Sequence, residues 1–206
     1  MAAEVIPELP FLSLVDVSAL LPRDWRADVE RCVERASVAS ALRGGEPGSL
    51  EPPGTEIAYR LVDGEAVARE LPWLRARYDD TFLRLAEAAS GRSLVVDSSP
   101  RSAVNVNVLP AHGGGYEWHR DTNPVTGVLF LSSHPEGRGG ALELTGRGGH
   151  VWRVQPLEGY AVFFDARNSP HRVASATETR ISAPMNFYVR GEERIRPAAL
   201  DDRLYQ

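Results

Sequence analysis

His119 and Asp121 stand two apart in the run Tyr116-Glu117-Trp118-His119-Arg120-Asp121, a stretch that reads as a β-strand. Alternation along a strand puts residues i and i+2 on one face, so an imidazole nitrogen and a carboxylate oxygen are offered to a common point. A second histidine, His171, follows the turn Asp165-Ala166-Arg167-Asn168-Ser169-Pro170 and opens another strand. Two histidines and one aspartate form the 2-His-1-carboxylate set. Its mixed donors suit Fe(II), and the open positions can hold a bidentate co-substrate together with dioxygen. A zinc hydrolase more usually closes on four ligands, one of them water. Arg180 begins the last strand, nine residues beyond His171. A planar guanidinium can grip a carboxylate through two charge-assisted hydrogen bonds. The bland alternatives are a surface His and Asp sharing a strand face and a solvated strand arginine; the spacing of the four residues argues against both.

These residues need a scaffold, and the texture of the chain supplies one. The 206 residues carry 43 % hydrophobic and 25 % charged side chains, globular values that exclude a disordered chain. Apolar residues recur at three- and four-residue steps over 23–42 (Trp25, Val29, Cys32, Val33, Ala36, Ala39), which predicts a helix. A second helical region is expected from about 65 to 90, with Leu71, Leu74, Tyr78, Phe82, Leu85 and Ala89 on its face. Between them, 44–56 holds three Pro and four Gly, a loop that could act as a lid. After Gly91, eight short β-rich runs separated by turns cover 102–109, 116–121, 126–132, 140–144, 150–154, 160–165, 171–175 and 180–189. That spacing predicts a jelly-roll-like sandwich or barrel. The expected fold is α+β with a mainly β core and an N-terminal helical layer packed on one sheet. The expected organisation is a single domain over 1–206: a helical support region over about 1–93, a β core over 94–190 and a tail over 191–206.

The segments Val108-Leu109-Pro110, Gly115 to Asp121, Gly127-Val128-Leu129-Phe130-Leu131, Gly139 to Leu144 and Phe163-Phe164-Asp165 through His171 together resemble Fe(II)/2-oxoglutarate dioxygenases, most of all the prolyl-hydroxylase branch with its hypoxia-type enzymes. The resemblance covers roughly 101–190. It implies a double-stranded β-helix with Fe(II), 2-oxoglutarate and O2 as cofactors and ascorbate as a reductant. Position by position, it implies His119, Asp121 and His171 as iron ligands and Arg180 as the partner of the distal 2-oxoglutarate carboxylate. Thr126 matches a hydroxyl position near that carboxylate, and Leu142 and Phe130 line the co-substrate pocket. Leu109 and Phe130 stand where the hypoxia-type enzymes carry tyrosines. Asn105, Asn107, Tyr116 and Asn186 are the substrate-side candidates, Asn186 replacing an aromatic. The implied reaction hydroxylates a C–H bond of a small metabolite, amino acid or peptidyl residue, with succinate and CO2 as co-products. Asp121 argues against halogenation, since halogenating relatives lack the carboxylate. The asparagines make the pocket more polar than a proline peptide requires.

Two rivals stay open at this level: a non-catalytic cupin-like metal- or ligand-binding module, and a prolyl hydroxylase in the narrow sense. A zinc or manganese enzyme using the same ligands is a further variant. All 23 basic residues are arginine, which excludes Schiff-base and P-loop lysine chemistry. The net charge of −5 gives no global attraction to nucleic acid. One cysteine, Cys32, excludes an intrachain disulfide and reads as inert packing. No apolar run is long enough to span a bilayer, and no signal peptide is evident, so a cytoplasmic protein is expected. His112, His134 and His150 read as surface residues.

Overall fold

The computed structural model describes residues 11–44, 52–146 and 149–192. The 45–51 part of the expected lid and the tail from 193 onward lie outside the described residues. Among those described, twelve strands form two antiparallel sheets. The strands are β1 (Leu12–Asp16), β2 (Val38–Arg43), β3 (Glu56–Val62), β4 (Leu94–Val96), β5 (Val106–Leu109), β6 (Tyr116–His119), β7 (Val125–Phe130), β8 (Leu142–Thr145), β9 (Val151–Val154), β10 (Tyr160–Phe164), β11 (His171–Val173) and β12 (Arg180–Val189). The large sheet runs β1-β10-β7-β12-β5-β3-β2, with β4 also paired to β12; the small sheet runs β6-β11-β8-β9. This is the expected jelly-roll core, and the eight expected strands all appear within a few residues of their expected ends.

Alternation divides the large sheet into two chemically distinct roles. Val125, Leu129, Phe163, Met185 and Phe187 face the helices α1 (Trp25–Ala36), α2 (Gly64–Glu70), α3 (Pro72–Arg77) and α4 (Leu83–Ser90). Val128, Phe130, Val162 and Phe164 face the small sheet, where they meet Leu142, Leu144, Val154 and Val173. Two cores thus share one sheet as their common wall, and the second occupies the space where the strand ends bring the polar candidates together.

The helical layer departs from expectation in two places. The helix expected over 23–42 stops at Ala36, and β2 follows. Ser37 takes an extended conformation, and Val38–Arg43 pair residue for residue with Leu61–Glu56. Alanines at 36, 39 and 41 fit either period, so pairing with a partner strand decides the outcome. That partner, β3, has a plain period-two pattern: Ile57, Tyr59 and Leu61 are buried, with Ala58 and Arg60 exposed. β2 and β3 are therefore the two arms of a β-hairpin, and beyond their ends the Gly44 N–H donates to the Thr55 carbonyl at 2.8 Å. The second helical region is broken at Leu71-Pro72 and contains a π-turn at Tyr78–Phe82. Residues 74, 78, 82 and 86 are all fully buried at four-residue steps. Such steps drift around a regular helix, and the wider π-turn absorbs the drift. Cys32 is 1 % exposed and burial pushes its thiol up to about 11, in keeping with a packing role. No described helix is long and apolar enough to cross a membrane.

Candidate metal and co-substrate site

His119 ends β6 and His171 begins β11, and the two are direct partners in the small-sheet register. Their rings lie 4.4 Å apart. Asp121 follows in the turn after β6, where its N–H donates to the Ala166 carbonyl at 3.1 Å. Asp121 Oδ1 stands 3.7 Å from His119 Nε2 and 3.6 Å from His171 Nε2. One ligand atom from each residue falls within 4.8 Å of the other two, the spacing of donors that share one ion through bonds of ~2.0–2.2 Å.

The neighbours of each ligand aim its lone pair. His119 Nδ1 lies 2.7 Å from the Glu117 carbonyl and His171 Nδ1 3.0 Å from the Ser169 carbonyl. A carbonyl only accepts, so each Nδ1 carries the proton and each Nε2 keeps its lone pair for the shared point. Burial, together with the adjacent His171, brings the His119 imidazole down to about 4, which is the neutral, ligating form at ordinary pH. Burial opposes ionisation of Asp121. The two histidines and the Thr126 hydroxyl outweigh it and hold the carboxyl well below the usual range.

Thr126, expected on the 2-oxoglutarate carboxylate, has another task. Its hydroxyl donates to Asp121 Oδ2 at 2.6 Å and accepts from Asn123 Nδ2 at 2.8 Å, while Asn123 Nδ2 also donates to the Val125 carbonyl. The single hydroxyl proton is thus committed to Asp121. Asn123, 2 % exposed, was not a sequence candidate; its proximity to Asp121 and the following β-strand was the only signal. Thr126→Val keeps the shape but removes the bridge. Iron affinity is expected to fall about 10–100-fold, the range for losing a partner of a metal ligand, as read by Fe(II) titration. An unchanged affinity would show that Asp121 needs no support.

Arg180 is 2 % exposed. Its Nε donates to the Gly140 carbonyl at 2.9 Å and NH1 to Ser182 Oγ at 2.7 Å, and the guanidinium carbon lies 5.8 Å from the centre of the Phe130 ring. Among the described residues no carboxylate forms an ion pair with it. Burial lowers its pKa to about 10, so the cation persists at neutral pH. A buried charge of this kind is costly without an anionic partner, so the donor set fits a ligand carboxylate. Leu109 pairs with Arg180 across the sheet, and Leu109, Phe130 and Leu142 belong to the same intersheet core. They form apolar walls suited to a short methylene chain. Ser182 escaped the sequence reading, although alternation from Arg180 places it on the same face.

Tyr116, a substrate-side candidate, stands beside His119 and Asn107. Its ring centre is 6.3 Å from that of His119, its hydroxyl accepts from Asn107 Nδ2 at 3.2 Å, and it influences the Arg180 charge. Strict alternation would put Tyr116 and His119 on opposite faces. However, three residue steps on β6 oppose two on β11, from Val173 to His171. This bulge turns both side chains inward. Gly115 permits the close approach, since a Cβ there would lie 1.8 Å from the Val173 carbonyl oxygen. On the outer face, Glu143 binds Arg172 at 2.6 Å and Arg153 at 2.7 Å, tying β11 to β8 and β9 beside His171. Asn105 is buried and Asn186 pairs with Thr126 across β7 and β12. His112 and His150 are exposed as expected, but His134 is buried, 1 % exposed. The loop after β7 folds beneath the Arg180 end of β12.

The sequence model of the 2OG-Fe(II) oxygenase superfamily matches residues 104–188. Over that segment, which holds all three convergent donors and Arg180, the chain is similar to the 2OG-Fe(II) oxygenases. That match and the His119–Asp121–His171 set together support Fe(II), 2-oxoglutarate and O2 as cofactors, and the two sheets form the double-stranded β-helix fold. A prolyl hydroxylase from Trichoplax adhaerens, solved with a hypoxia inducible factor peptide fragment, superposes with a TM-score of 0.64 at 17 % identity, covering 87 % of this chain and 84 % of that one. A Pseudomonas putida prolyl-4-hydroxylase gives 0.56 at 24 % identity over 87 % and 93 %. AviO1 from Streptomyces viridochromogenes Tue57 gives 0.65 at 15 % identity over 92 % and 94 %. No curated protein matches the chain.

Proposed function

We propose that His119, Asp121 and His171 hold Fe(II), that Arg180 and Ser182 hold the distal carboxylate of 2-oxoglutarate, and that the enzyme hydroxylates a small polar metabolite or amino acid-like substrate. The convergence of three ligand atoms within 4.8 Å carries this reading. The buried Arg180, with no carboxylate paired to it among the described residues, supports it. Iron with 2-oxoglutarate supplies O2 activation and yields succinate and CO2 as co-products. Ser182 Oγ accepts from Arg180, so its own proton is available to a ligand carboxylate. Leu109, Phe130 and Leu142 exclude water from the methylene chain, and Thr126 keeps Asp121 oriented.

Asn186 supports a donor-bearing substrate. Its Nδ2 donates to the Ser102 carbonyl at 2.8 Å, which fixes the amide and leaves Oδ1 as an acceptor. The direct partner of Asn186 across the sheet is Thr126, and Thr126 touches Asp121. A substrate O–H or N–H satisfies such an acceptor; the tertiary amide nitrogen of a peptidyl proline offers none. A reduced cytoplasmic setting suits ferrous iron and a single buried thiol. Purified enzyme with Fe(II), 2-oxoglutarate and ascorbate is expected to release succinate. Free amino acids and hydroxy acids should stimulate release more than proline-containing peptides that lack a nearby donor. Succinate formation that persists after iron is chelated would sink the proposal.

A further inference from the structure

We infer that His134 is a positioning residue for Arg180, holding the guanidinium in place from behind the co-substrate pocket. The inference rests on the reading of Arg180 as the 2-oxoglutarate anchor. His134 lies in the connection between β7 and β8, far in sequence from Arg180, and is 1 % exposed. Its backbone N–H donates to the Pro156 carbonyl at 2.9 Å, which fixes the loop. Its ring then reaches the clamp by two routes. In the first, Nε2 lies 3.1 Å from Ser132 Oγ, and that hydroxyl accepts the Ile181 N–H at 2.9 Å. In the second, the ring lies close against Gly140, whose carbonyl accepts from Arg180 Nε at 2.9 Å.

Gly140 shows how tight the second route is. It has a φ of +72°, and a Cβ there would lie 3.1 Å from His134 Cγ. The bare backbone is therefore what lets the imidazole lie against the residue whose carbonyl orients the guanidinium. Burial favours the neutral ring, as does the neighbouring Arg180 charge, while Glu178 and a hydrogen bond with the Thr179 backbone oppose them. A neutral imidazole can stand beside the cation without repelling it. No step of the reaction uses His134, and its distance along the chain from every ligand gave no sequence signal.

The test is binding of 2-oxoglutarate to the Fe(II)-loaded enzyme without oxygen, by calorimetry, in wild type, His134→Leu, His134→Gln, Arg180→Met and the double variant His134→Leu/Arg180→Met. His134→Leu is expected to raise the Kd for 2-oxoglutarate about tenfold, the scale of one lost hydrogen bond plus a loosened neighbour. Fe(II) affinity should stay within about twofold of wild type, below the resolution of a lost interaction. His134→Gln, which can restore the contact to Ser132, should recover most of the loss. In the Arg180→Met background His134→Leu should add nothing, because the object it positions is gone. Should His134→Leu not fold, Ser132→Ala cuts the first route from outside the ring and should weaken 2-oxoglutarate in the same Arg180-dependent way. Unchanged 2-oxoglutarate affinity in His134→Leu overturns the inference. So does an equal loss with and without Arg180, or a parallel loss of iron and melting temperature that His134→Gln does not rescue. If Arg180→Met itself leaves 2-oxoglutarate binding intact, the anchor assignment falls, a result distinct from failure of His134 alone.

Discussion

Arg180→Met is expected to weaken 2-oxoglutarate binding by at least about a hundredfold while Fe(II) remains bound. Two charge-assisted hydrogen bonds to a carboxylate contribute roughly 1.5–3 kcal/mol each, and every ~1.4 kcal/mol is tenfold in Kd. The proposed iron ligands come from β6, β11 and the turn between β6 and β7, so the metal should not register the change. The ligand-free protein should be no less stable than wild type and gains stability if desolvation dominates. Methionine removes an uncompensated buried charge at similar volume, although the Gly140 carbonyl loses its donor. The signature is thus a separation: loss of 2-oxoglutarate-induced thermal stabilisation without loss of the starting melting temperature. Calorimetry and a melting curve on one preparation read both. Undiminished 2-oxoglutarate affinity would mean that a different cation anchors the co-substrate.

Asp121→Ala is expected to reduce Fe(II) affinity by more than about a hundredfold, beyond the effect of losing a mere partner of a ligand. The substitution removes the only anionic donor of the set and strands the Thr126 hydroxyl, which now donates to Asp121 at 2.6 Å. Two neutral imidazoles 4.4 Å apart remain, a pair able to bind a softer divalent ion weakly but poorly matched to Fe(II). Metal content after dialysis, measured together with circular dichroism to establish folding, decides the matter. A folded Asp121→Ala protein that retains stoichiometric iron would refute the ligand assignment.

The β core was legible because most of its strands are short and set off by Gly, Pro or Asn; the His119/Asp121 pair was legible by residue type, although Asp121 lies in the turn after β6 and not on the strand that alternation supposed. The β2–β3 hairpin was not. Alanine and serine in Val38–Arg43 carry little preference of their own, and that segment becomes a strand only because the alternating face of β3 pairs with it. Within the candidate site, the convergence of His119, Asp121 and His171 could be read from residue types and spacing. The true partner of Thr126 could not, because it depends on how the turn after Asp121 folds back over Asn123. His134 was read as a surface residue since a Ser-Ser-His-Pro turn ordinarily is one; its burial follows from the loop tucking under β12, which no local pattern announces.

The extra residue in β6 bears on how this chain can vary over evolutionary time. Surface connections elsewhere can lengthen or shrink without disturbing the catalytic pocket, yet the interval from Tyr116 to His119 is locked to the shorter count on β11. Removing or adding one residue there would re-phase the strand and exchange an aromatic pocket wall for a solvent-facing side chain. Homologues should therefore preserve that interval even where the identities of Glu117 and Trp118 drift, and any search pattern built on regular two-residue periodicity would pass over them.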